Sequence, residues 1–323
     1  MDLKTDFIAE PTESSIICIC TIYNEVDTID FFIDYYIDQK ITHFIFIDNN
    51  SNDGTLSRIQ KKSENVNIKT YFTKDSYADN KFGMSWVNDI MNQYKEMWML
   101  VVDCDEFIVL ENNKNLIDLK NSMTKTNSNV AEFILIDFYP GTDFQDSIKS
   151  NTINPFDHSK YYDLACDKND YYITKFKDNC HVLKGGFRHR QFVKNSKANN
   201  DSFCLHKKSF FKFTFAETHR LSEGMHWLFP HSFTDWHFKE WEKYNCYINY
   251  YESINVIAHF KFVKRNFNEY LQKRIERNQD WNQSQQYKQY DFDVGSFYKH
   301  GKTMKYTNVN KLYKDTIKRI INF

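Results

Sequence analysis

Two aspartates separated by a single residue follow an apolar run near the middle of the chain. Asp103 and Asp105 flank Cys104 after residues 98–102, and apolar residues resume at Phe107. In an extended backbone, side chains two residues apart project from the same face, so these two carboxylates could share one cation. Carboxylate oxygens suit Mg²⁺ or Mn²⁺, and either ion could hold a diphosphate. The alternative is that the aspartates only solvate the end of a strand, because short motifs often match by chance.

Two further polar clusters lie closer to the N-terminus, and each follows an apolar run of strand length. Residues 16–22 precede Tyr23-Asn24-Glu25, and residues 43–47 precede the polar segment 48–55. Such continuous runs are typical of parallel strands buried on both faces. The intervening helix is predicted from one apolar stripe: Ile29, Phe32, Ile33, Tyr36 and Ile37. Ligands of open parallel sheets bind outside the carboxyl ends of the strands, so the clusters are expected to form one crevice.

The remaining pattern alternates strands with helices. Strands are predicted over 66–71 and 131–139, and helices around 86–94 and 116–123. The sequence therefore predicts an α/β fold, with a mostly parallel Rossmann-like sheet flanked by helices. It contains neither G-x-G-x-x-G nor a P-loop motif. Without a glycine-rich loop to bind phosphates, a metal ion is expected to hold them.

Three segments together resemble the motifs of a known enzyme class. Thr21–Glu25, Ile47–Thr55 and Val102–Phe107 resemble the GT-A nucleotide-sugar glycosyltransferases, in particular the family 2 and family 92-like branch of bacterial polysaccharide clusters. The resemblance covers residues 16–110 and implies a GT-A domain that binds a nucleotide sugar, usually a UDP-sugar, through Mn²⁺ or Mg²⁺.

The resemblance also implies roles for individual residues. Glu25 and Asp48 would contact the base and ribose, Asp103 would lie near the ribose or the metal, and Asp105 would ligate the metal directly. The predicted nucleotide-binding set includes four more residues of the same clusters: Thr21, Tyr23, Asn50 and Asp53.

Two segments further along the chain add basic and imidazole groups. Arg188 lies in Lys184-Gly185-Gly186-Phe187-Arg188-His189-Arg190, which suits a loop close to an anion, either the diphosphate or an acidic acceptor. A solvated basic hairpin is the alternative. The segments around His219 and His259 resemble elements of the same bacterial branch. His259 is predicted as the third protein ligand of the metal, with His219 in reserve, and Lys261 as a contact to the diphosphate.

Residues 203–262 are rich in aromatic residues and histidine, which suits an acceptor-sugar site. An inverting transfer needs a general base near the acceptor hydroxyl. The candidates are Asp137, Glu217, Glu223 and Asp235. Glu223 is favoured because it accompanies Gly224 and His226 in the acceptor-like stretch, and the sequence leaves open whether the reaction inverts or retains configuration.

Composition limits the compartment and the partners. The 323 residues carry 42 Lys+Arg against 43 Asp+Glu, so no strong overall field favours nucleic acid. Seven scattered cysteines without a C-x-x-C pair predict reduced thiols in a cytoplasmic protein. No signal peptide or membrane-spanning run is recognised. Peripheral contact of the basic C-terminal helical face with the inner membrane, and a homo-oligomer, are compatible with the sequence.

The sequence thus predicts a metal-dependent glycosyltransferase that moves a sugar from a nucleotide donor to a saccharide or lipid-linked acceptor in surface polysaccharide synthesis. The predicted organisation is a nucleotide-sugar half over 1–140, an acceptor half over 141–262 and a C-terminal helical extension over 263–323. The alternatives are a sugar nucleotidyltransferase and a non-catalytic saccharide-binding protein. Asp105→Asn is expected to leave stability unchanged or raise it, by removing a charge that repels Asp103.

Overall fold

A computed structural model gives the structure of the chain. It describes residues 1–141, 153–165, 171–176, 180–193, 204–231, 252–265, 267–280 and 297–320, with 284 and 288. For residues 172–176, 180–182, 193 and 230 the description is limited to the backbone.

The described residues form fifteen strands and nine α-helical segments. The strands are β1 Asp2–Thr5, β2 Ile16–Ile22, β3 His43–Asp48, β4 Ile68–Phe72, β5 Trp98–Val101, β6 Glu106–Val109, β7 Val130–Asp137, β8 Tyr161–Asp163, β9 Tyr171–Phe176, β10 Cys180–Gly185, β11 His206–Lys212, β12 His219–Leu221, β13 Leu228–Pro230, β14 Asn255–His259 and β15 Thr303–Lys305. The helices are α1 Ile29–Asp38, α2 Thr55–Ser63, α3 Met84–Met91, α4 Leu116–Lys125, α5 Pro155–His158, α6 Gly186–Arg188, α7 Phe267–Arg277, α8 Val309–Asp315 and α9 Ile317–Ile320.

Two compact units share the chain. The first comprises the described residues of Met1–Cys104, Lys114–Glu132 and Lys207–Ser253. The second comprises those of Asp105–Asn113, Phe133–His206 and Ile254–Phe323. Each unit is therefore built from three separate segments of the chain. The predicted division by role at residues 140 and 262 is a different kind of boundary, and it stays a prediction.

The first unit is built on a mostly parallel sheet whose strands follow the order β1-β4-β3-β2-β5-β11. β4, β3, β2 and β5 run parallel, and β1 and β11 are antiparallel to their neighbours. Every residue of β3 is buried, which agrees with the apolar pattern of a central parallel strand. This unit therefore has the α/β, Rossmann-like arrangement that the sequence predicts.

Helix α1 packs the predicted stripe with one exception. Ile29, Phe32, Ile33 and Tyr36 are buried, whereas Ile37 is 38% exposed. Residues 29, 32, 33 and 36 complete the i, i+3, i+4, i+7 face, and Ile37 lies at its margin. A second helix, α3, contributes Trp86, Val87, Ile90 and Met91 to a core with the side chains of β2, β3 and β5.

The second unit contains strands in the order β7-β14-β6, with β14 parallel to β7 and antiparallel to β6. Its aromatic core packs Tyr139, Phe187, Phe192, Phe262, Phe267 and Phe297 together. Helix α7 lays Tyr270, Leu271 and Ile275 against this core, as its apolar stripe predicts. The C-terminal segment also forms one strand, because β15 pairs with β8. Among the described helices, none is long and apolar enough to cross a bilayer.

Candidate functional site

The polar turn after β2 is tied to the loop after β3 by side-chain hydrogen bonds. Asn24 and Asn52 bond reciprocally, with Asn52 N donating to Asn24 Oδ1 over 2.9 Å and Asn24 Nδ2 donating to Asn52 Oδ1 over 3.2 Å. Asn24 N also donates to Ser51 Oγ over 2.9 Å. Asn24 and Asn50 adopt left-handed backbones, with φ of 58° and 66°, which asparagine tolerates better than most residues. The two predicted clusters are therefore one structure.

Asp53 holds this structure together from within. One of its carboxylate oxygens accepts from Thr55 N and Oγ1 at 3.0 and 2.6 Å, and the other accepts from Val26 N at 3.1 Å. The Thr55 hydroxyl in addition accepts from Glu25 N over 2.8 Å. Both oxygens of Asp53 are engaged by the protein. Asp53 therefore holds the two turns together, and its predicted contact to the nucleotide stays a prediction.

Asp48 is the buried carboxylate at the carboxyl end of β3. Its Oδ1 accepts from Ser51 N over 2.7 Å, while its buried Oδ2 has no hydrogen-bond partner. Burial raises the pKa of Asp48. A buried acceptor without a partner costs about 1–3 kcal/mol, so such a group is explained when a ligand donor supplies the missing bond. Asp48 is accordingly a strong candidate for recognising an N–H or O–H of a ligand.

The neighbouring strand adds a second buried acceptor. Thr21 Oγ1 has no hydrogen-bond partner, and Thr21 pairs with Ile47 in the register of β2 with β3, one step before Asp48. Gly83 approaches it closely, because a Cβ there would lie 3.2 Å from Thr21 Oγ1 and 2.8 Å from the Tyr77 ring. The residue must be glycine for this approach and for its φ of +77°.

Tyr23 and Glu25 lie on the same turn and are half-buried. Glu25 Oε2 accepts from Thr28 Oγ1 over 3.2 Å. The structure therefore brings six predicted nucleotide-binding residues to one edge of the first unit's sheet: Thr21, Tyr23, Glu25, Asp48, Asn50 and Asp53.

The D-x-D segment is a turn between β5 and β6. This differs from the extended backbone that would place both carboxylates on one face. Asp103 belongs to the first unit and Asp105 to the second. The side chain of Asp103 is 49% exposed and pairs with Lys207 Nζ at 3.1 Å, whereas that of Lys207 is only 4% exposed.

Lys207 was absent from the sequence-based prediction. Its signal was the lysine pair Lys207-Lys208 next to the apolar Phe210-Phe211 in one short segment, residues 206–212, because a buried ammonium requires an anionic partner. The second lysine of the pair, Lys208, is likewise buried and is matched with Glu132.

The second unit gathers the candidate metal ligands. Asp105, Glu106 and His259 each offer one ligand atom, and these three atoms lie within 4.8 Å of one another. β14 brings them together because His259 pairs with Glu106 across the antiparallel register, and Phe260 N donates to Asp105 O over 2.8 Å. Two carboxylates and an imidazole fit Mn²⁺ or Mg²⁺. The sequence predicted Asp103, Asp105 and His259 as ligands, whereas the group in the described residues combines Asp105 and His259 with Glu106, which the sequence analysis missed.

Behind His259 lies a buried chain of charged groups. His259 Nδ1 is 2.7 Å from Asp137 Oδ1, and Arg188 Nε is 2.8 Å from the same oxygen. Arg188 follows Gly185 and Gly186, whose φ values of 120° and 70° turn the chain sharply at the end of β10. Arg188 is buried there and pairs with Asp137, and the predicted contact of this loop with the diphosphate or an acidic acceptor stays a prediction.

The charges of this group perturb one another. Burial alone raises the pKa of Asp105, but the charges of Lys261 and His259 outweigh it and hold the pKa well below its usual range. The pKa of Asp137 is lowered in the same way, since Arg188 and His259 outweigh the effect of burial. Burial lowers the pKa of His259, yet the nearby Asp105 carboxylate leaves it raised overall. Lys261 Nζ lies 3.4 Å from Asp105 Oδ2.

The described candidate general bases belong to both units. Asp137 is buried and paired as described, which suits positioning of His259 better than attack chemistry at an acceptor. Glu223 is half-buried in a short 3₁₀ turn of the first unit. Glu217 is exposed and pairs with Lys95, and Asp235 lies outside the described residues. The reserve ligand His219 is buried in the first unit, where its Nδ1 lies 2.8 Å from Thr218 Oγ1.

Comparison with known proteins gives structural likeness only. No protein-family profile and no curated protein matches the sequence. A structure of TarS from S. aureus with UDP-GlcNAc matches at 20% identity and a TM-score of 0.32, over 41% of this chain and 38% of that chain. GalNAc-T7 with UDP, GalNAc and Mn²⁺ matches at 10% identity and a TM-score of 0.40, over 76% of this chain and 43% of that chain.

A third solved structure is described as a different kind of enzyme, a glucose-1-phosphate thymidylyltransferase from Bacillus anthracis. It matches at 9% identity and a TM-score of 0.36, over 76% of this chain and 89% of that chain. The chain spans less than half the length of the TarS chains that it matches, between 23% and 40%. These values are too low to assign a function, so function is inferred from the residues of this chain.

Proposed function

We propose that this protein is a metal-dependent GT-A glycosyltransferase that moves a sugar from a nucleotide donor, preferentially a UDP-sugar, to a saccharide or lipid-linked acceptor. The observation that carries the proposal is the group of Asp105, Glu106 and His259, whose ligand atoms lie within 4.8 Å of one another. Asp105 and Glu106 come shortly after β5, the strand that ends before Asp103. The sequence has no glycine-rich phosphate loop, so a cation would bind the diphosphate in its place.

The nucleoside part of the donor is assigned to the first unit. Asp48 Oδ2 and Thr21 Oγ1 are buried acceptors without partners, and a nucleobase N–H or a ribose hydroxyl would satisfy them. Asp53 and the Asn24–Asn52 pair keep the surrounding turns in shape. Within this cluster, Asp48 and Thr21 would contact the nucleoside, whereas Asp53, Asn24 and Asn52 would hold the backbone of the turns in place.

The divalent cation is assigned to the second unit, which contains its candidate ligands. Bound there, a divalent cation would neutralise the charge of the departing nucleoside diphosphate. Asp105, Glu106 and His259 would hold it. Asp137 keeps a proton on Nδ1 of His259 and so leaves Nε2 as the ligand atom, and Arg188 in turn holds Asp137. Asp103, paired with Lys207, stays a predicted contact to the ribose.

The acceptor side rests on fewer observations. Glu223 is the half-buried carboxylate among the candidate bases in the described part of the chain, and we retain it as the general base. Surface polysaccharide synthesis in bacteria, capsule or lipooligosaccharide, is proposed from the resemblance of the motifs. A cytoplasmic location, with peripheral contact to the inner membrane, would bring the protein to a lipid-linked acceptor.

A panel of nucleotide sugars tests the activity. Nucleotide release and glycosylated product are measured with Mn²⁺ and with EDTA, in the presence of saccharide acceptors. We expect release from a UDP-sugar only with the divalent cation. Equal UDP affinity in Mn²⁺ and in EDTA, measured by calorimetry, would refute the metal-bridged diphosphate. Formation of a UDP-sugar and pyrophosphate from UTP and a sugar 1-phosphate would instead identify a nucleotidyltransferase.

Two buried histidines provide a matched test of the ligand assignment. His259→Ala removes a proposed ligand, so the Mn²⁺ concentration for half-maximal activity should rise by about tenfold or more. His219→Ala removes an imidazole that contacts Thr218 and Phe215 instead, and should leave the metal requirement unchanged. A metal defect in His219→Ala alone would reverse the assignment.

A further inference from the structure

Lys261 shares a carboxylate oxygen with the candidate metal group. Its Nζ lies 3.4 Å from Asp105 Oδ2, and His259 Nε2 lies 3.6 Å from the same oxygen. The side chains of Lys261 and Asp105 are 15% and 20% exposed, so solvent and salt screen this pair weakly. The ammonium thus neutralises the oxygen that the group would offer to a cation.

The residues on both sides of Lys261 hold its backbone in place, so a bound cation would move the Lys261 side chain and leave its backbone unchanged. Phe260 N donates to Asp105 O over 2.8 Å, and the buried Phe260 ring packs against Phe107 and Phe138. On the other side of Lys261, Phe262 belongs to the aromatic core of the second unit. The flexible four-carbon stem of lysine can move its ammonium without disturbing these contacts.

A divalent cation and this ammonium compete for Asp105. A cation binds a carboxylate oxygen at about 2.1 Å, and two positive charges on one half-buried oxygen repel strongly. Binding of the cation therefore displaces Lys261 and breaks its ion pair. A diphosphate on the same cation offers the ammonium new anionic oxygens, since lysine is a common phosphate ligand.

We propose that Lys261 couples the binding of the divalent cation to the binding of the diphosphate, by pairing with Asp105 in the free protein and with the diphosphate in the complex. The inference rests on the proposed function. Without the diphosphate, the cation must break the ion pair between Lys261 and Asp105, so it binds more weakly. With the diphosphate, the displaced ammonium has a partner, and each ligand raises the affinity for the other by the same factor.

Binding measurements with Mn²⁺ and UDP test this coupling without relying on turnover. The dissociation constant of Mn²⁺ is measured from the electron paramagnetic resonance signal of free Mn²⁺, with and without UDP. For the wild-type protein we expect UDP to tighten Mn²⁺ by about 5- to 150-fold. Lys261→Met keeps the apolar stem and removes the charge, so Mn²⁺ alone should bind several-fold tighter, and the factor by which UDP tightens Mn²⁺ should fall several-fold below the wild-type factor, to the part that the metal-bridged diphosphate supplies alone.

Lys264→Met is the matched control. Lys264 also acts on Asp105 through its charge, but its ammonium lies 4.9 Å from the centre of the Tyr270 ring. We expect this variant to retain most of the wild-type coupling, because the Lys264 ammonium lies over the Tyr270 ring, whereas the Lys261 ammonium pairs with the Asp105 carboxylate. Lys261→Gln is measured as a second neutral variant, with thermal melting of each protein to establish that it folds.

The outcomes separate the inference from the proposed function. If wild-type UDP affinity is the same in Mn²⁺ and in EDTA, the proposed function fails. If the wild-type protein shows coupling and the neutral variants of Lys261 keep it, or bind Mn²⁺ alone no tighter, the role of Lys261 is refuted while the function stands. Equal effects of Lys261→Met and Lys264→Met would also refute it, because total charge would then explain the result.

Discussion

His259 donates its Nδ1–H to Asp137 Oδ1 over 2.7 Å, and both side chains are almost completely buried. The acceptor is a carboxylate, so Nδ1 must carry the proton, and Nε2 is directed toward Asp105 at 3.6 Å. Histidine ligands of metals commonly have such a carboxylate on the other ring nitrogen, which fixes the tautomer and raises the basicity of the ligand. Asp137, predicted as a candidate base, is therefore reassigned as a positioning residue.

The first prediction concerns Asp137→Asn. The amide preserves the shape but no longer enforces a proton on Nδ1 or balances Arg188. We expect the Mn²⁺ affinity of the UDP-bound protein to fall about 10- to 100-fold. Calorimetric titration of Mn²⁺ in the presence of UDP measures the change.

Asp163→Asn controls for the loss of a buried ion pair. Asp163 pairs with Arg190 at 2.7 Å and accepts from the Tyr139 hydroxyl over 2.6 Å, outside the candidate metal group. Breaking a buried pair costs about 3–5 kcal/mol, so this variant should lose stability and keep its Mn²⁺ affinity. An equal loss of Mn²⁺ affinity in both variants would show that Asp137 acts only through the stability of the fold.

The second prediction reverses an expectation from the sequence. Asp105→Asn was expected to relieve repulsion by Asp103. In the structure, Lys261 and His259 hold the pKa of Asp105 well below its usual range despite burial, so folding favours the ionised carboxylate. Its stabilising contribution is present above the unfolded pKa and is lost only as the pH falls through the folded pKa. We therefore expect Asp105→Asn to melt at a lower temperature than the wild type in EDTA at pH 7.

Calorimetric melting in EDTA checks the sign. Asp103→Asn is the comparison, because the Asp103 side chain is 49% exposed and an exposed ion pair contributes little. It should change the melting temperature by less than Asp105→Asn does. A higher melting temperature for Asp105→Asn would support the original expectation that Asp103 and Asp105 repel each other.

The third prediction separates Asp48 from Asp53. Asp48→Asn alters a buried oxygen without a protein partner, so it should weaken UDP binding while leaving stability near the wild-type value or raising it. Asp53→Asn disturbs bonds to Val26 and Thr55 at the start of α2, and should cost about 0.5–2 kcal/mol of stability. UDP titration and chemical unfolding of both variants distinguish the two. If Asp53→Asn weakened UDP binding and Asp48→Asn lost stability, the roles of the two residues would be reversed.

The apolar periodicity of the sequence predicted the strands and helices around the site better than it predicted which side chains contact one another. The apolar runs of β2, β3 and β5 and the stripe of α1 are local patterns, and they are found where the sequence indicates. His259 also lies beside Asp105 as predicted, because the resemblance to a family carried that long-range information. Asp137, Arg188 and Lys207 acquire their partners only through tertiary pairing of distant segments. No local pattern specifies that Lys207 meets Asp103 or that Arg188 meets Asp137.

The turn at Cys104–Asp105 was missed for a related reason. The sequence predicts a strand that ends at Asp103, with both aspartates on one face if the backbone stays extended, whereas the structure turns between β5 and β6. β5 pairs with β2, whereas β6 pairs with β14. Strand pairing therefore overrides the local preference, and the break assigns the two aspartates to different units.

The last prediction concerns acid stability and a histidine outside the candidate site. His158 ends the short helix α5, and burial lowers its pKa to about 4. Between its ordinary pKa of 6.5 and this value, the unfolded chain binds more protons at this position than the folded protein does. Folding stability therefore rises with pH across the window, is fully present above 6.5 and is lost as the pH falls through 4. The loss amounts to about 3 kcal/mol.

His158→Gln isolates the contribution, because the other titrating groups are common to both proteins. Burial also lowers the pKa of His43, and this effect cancels in the difference between wild type and variant. We expect the free energy of unfolding of the wild type to fall relative to that of the variant as the pH is lowered from 7 to 4, measured by urea unfolding at each pH. A difference that stays constant over this range would mean that His158 is protonated as readily in the folded protein as in the unfolded chain.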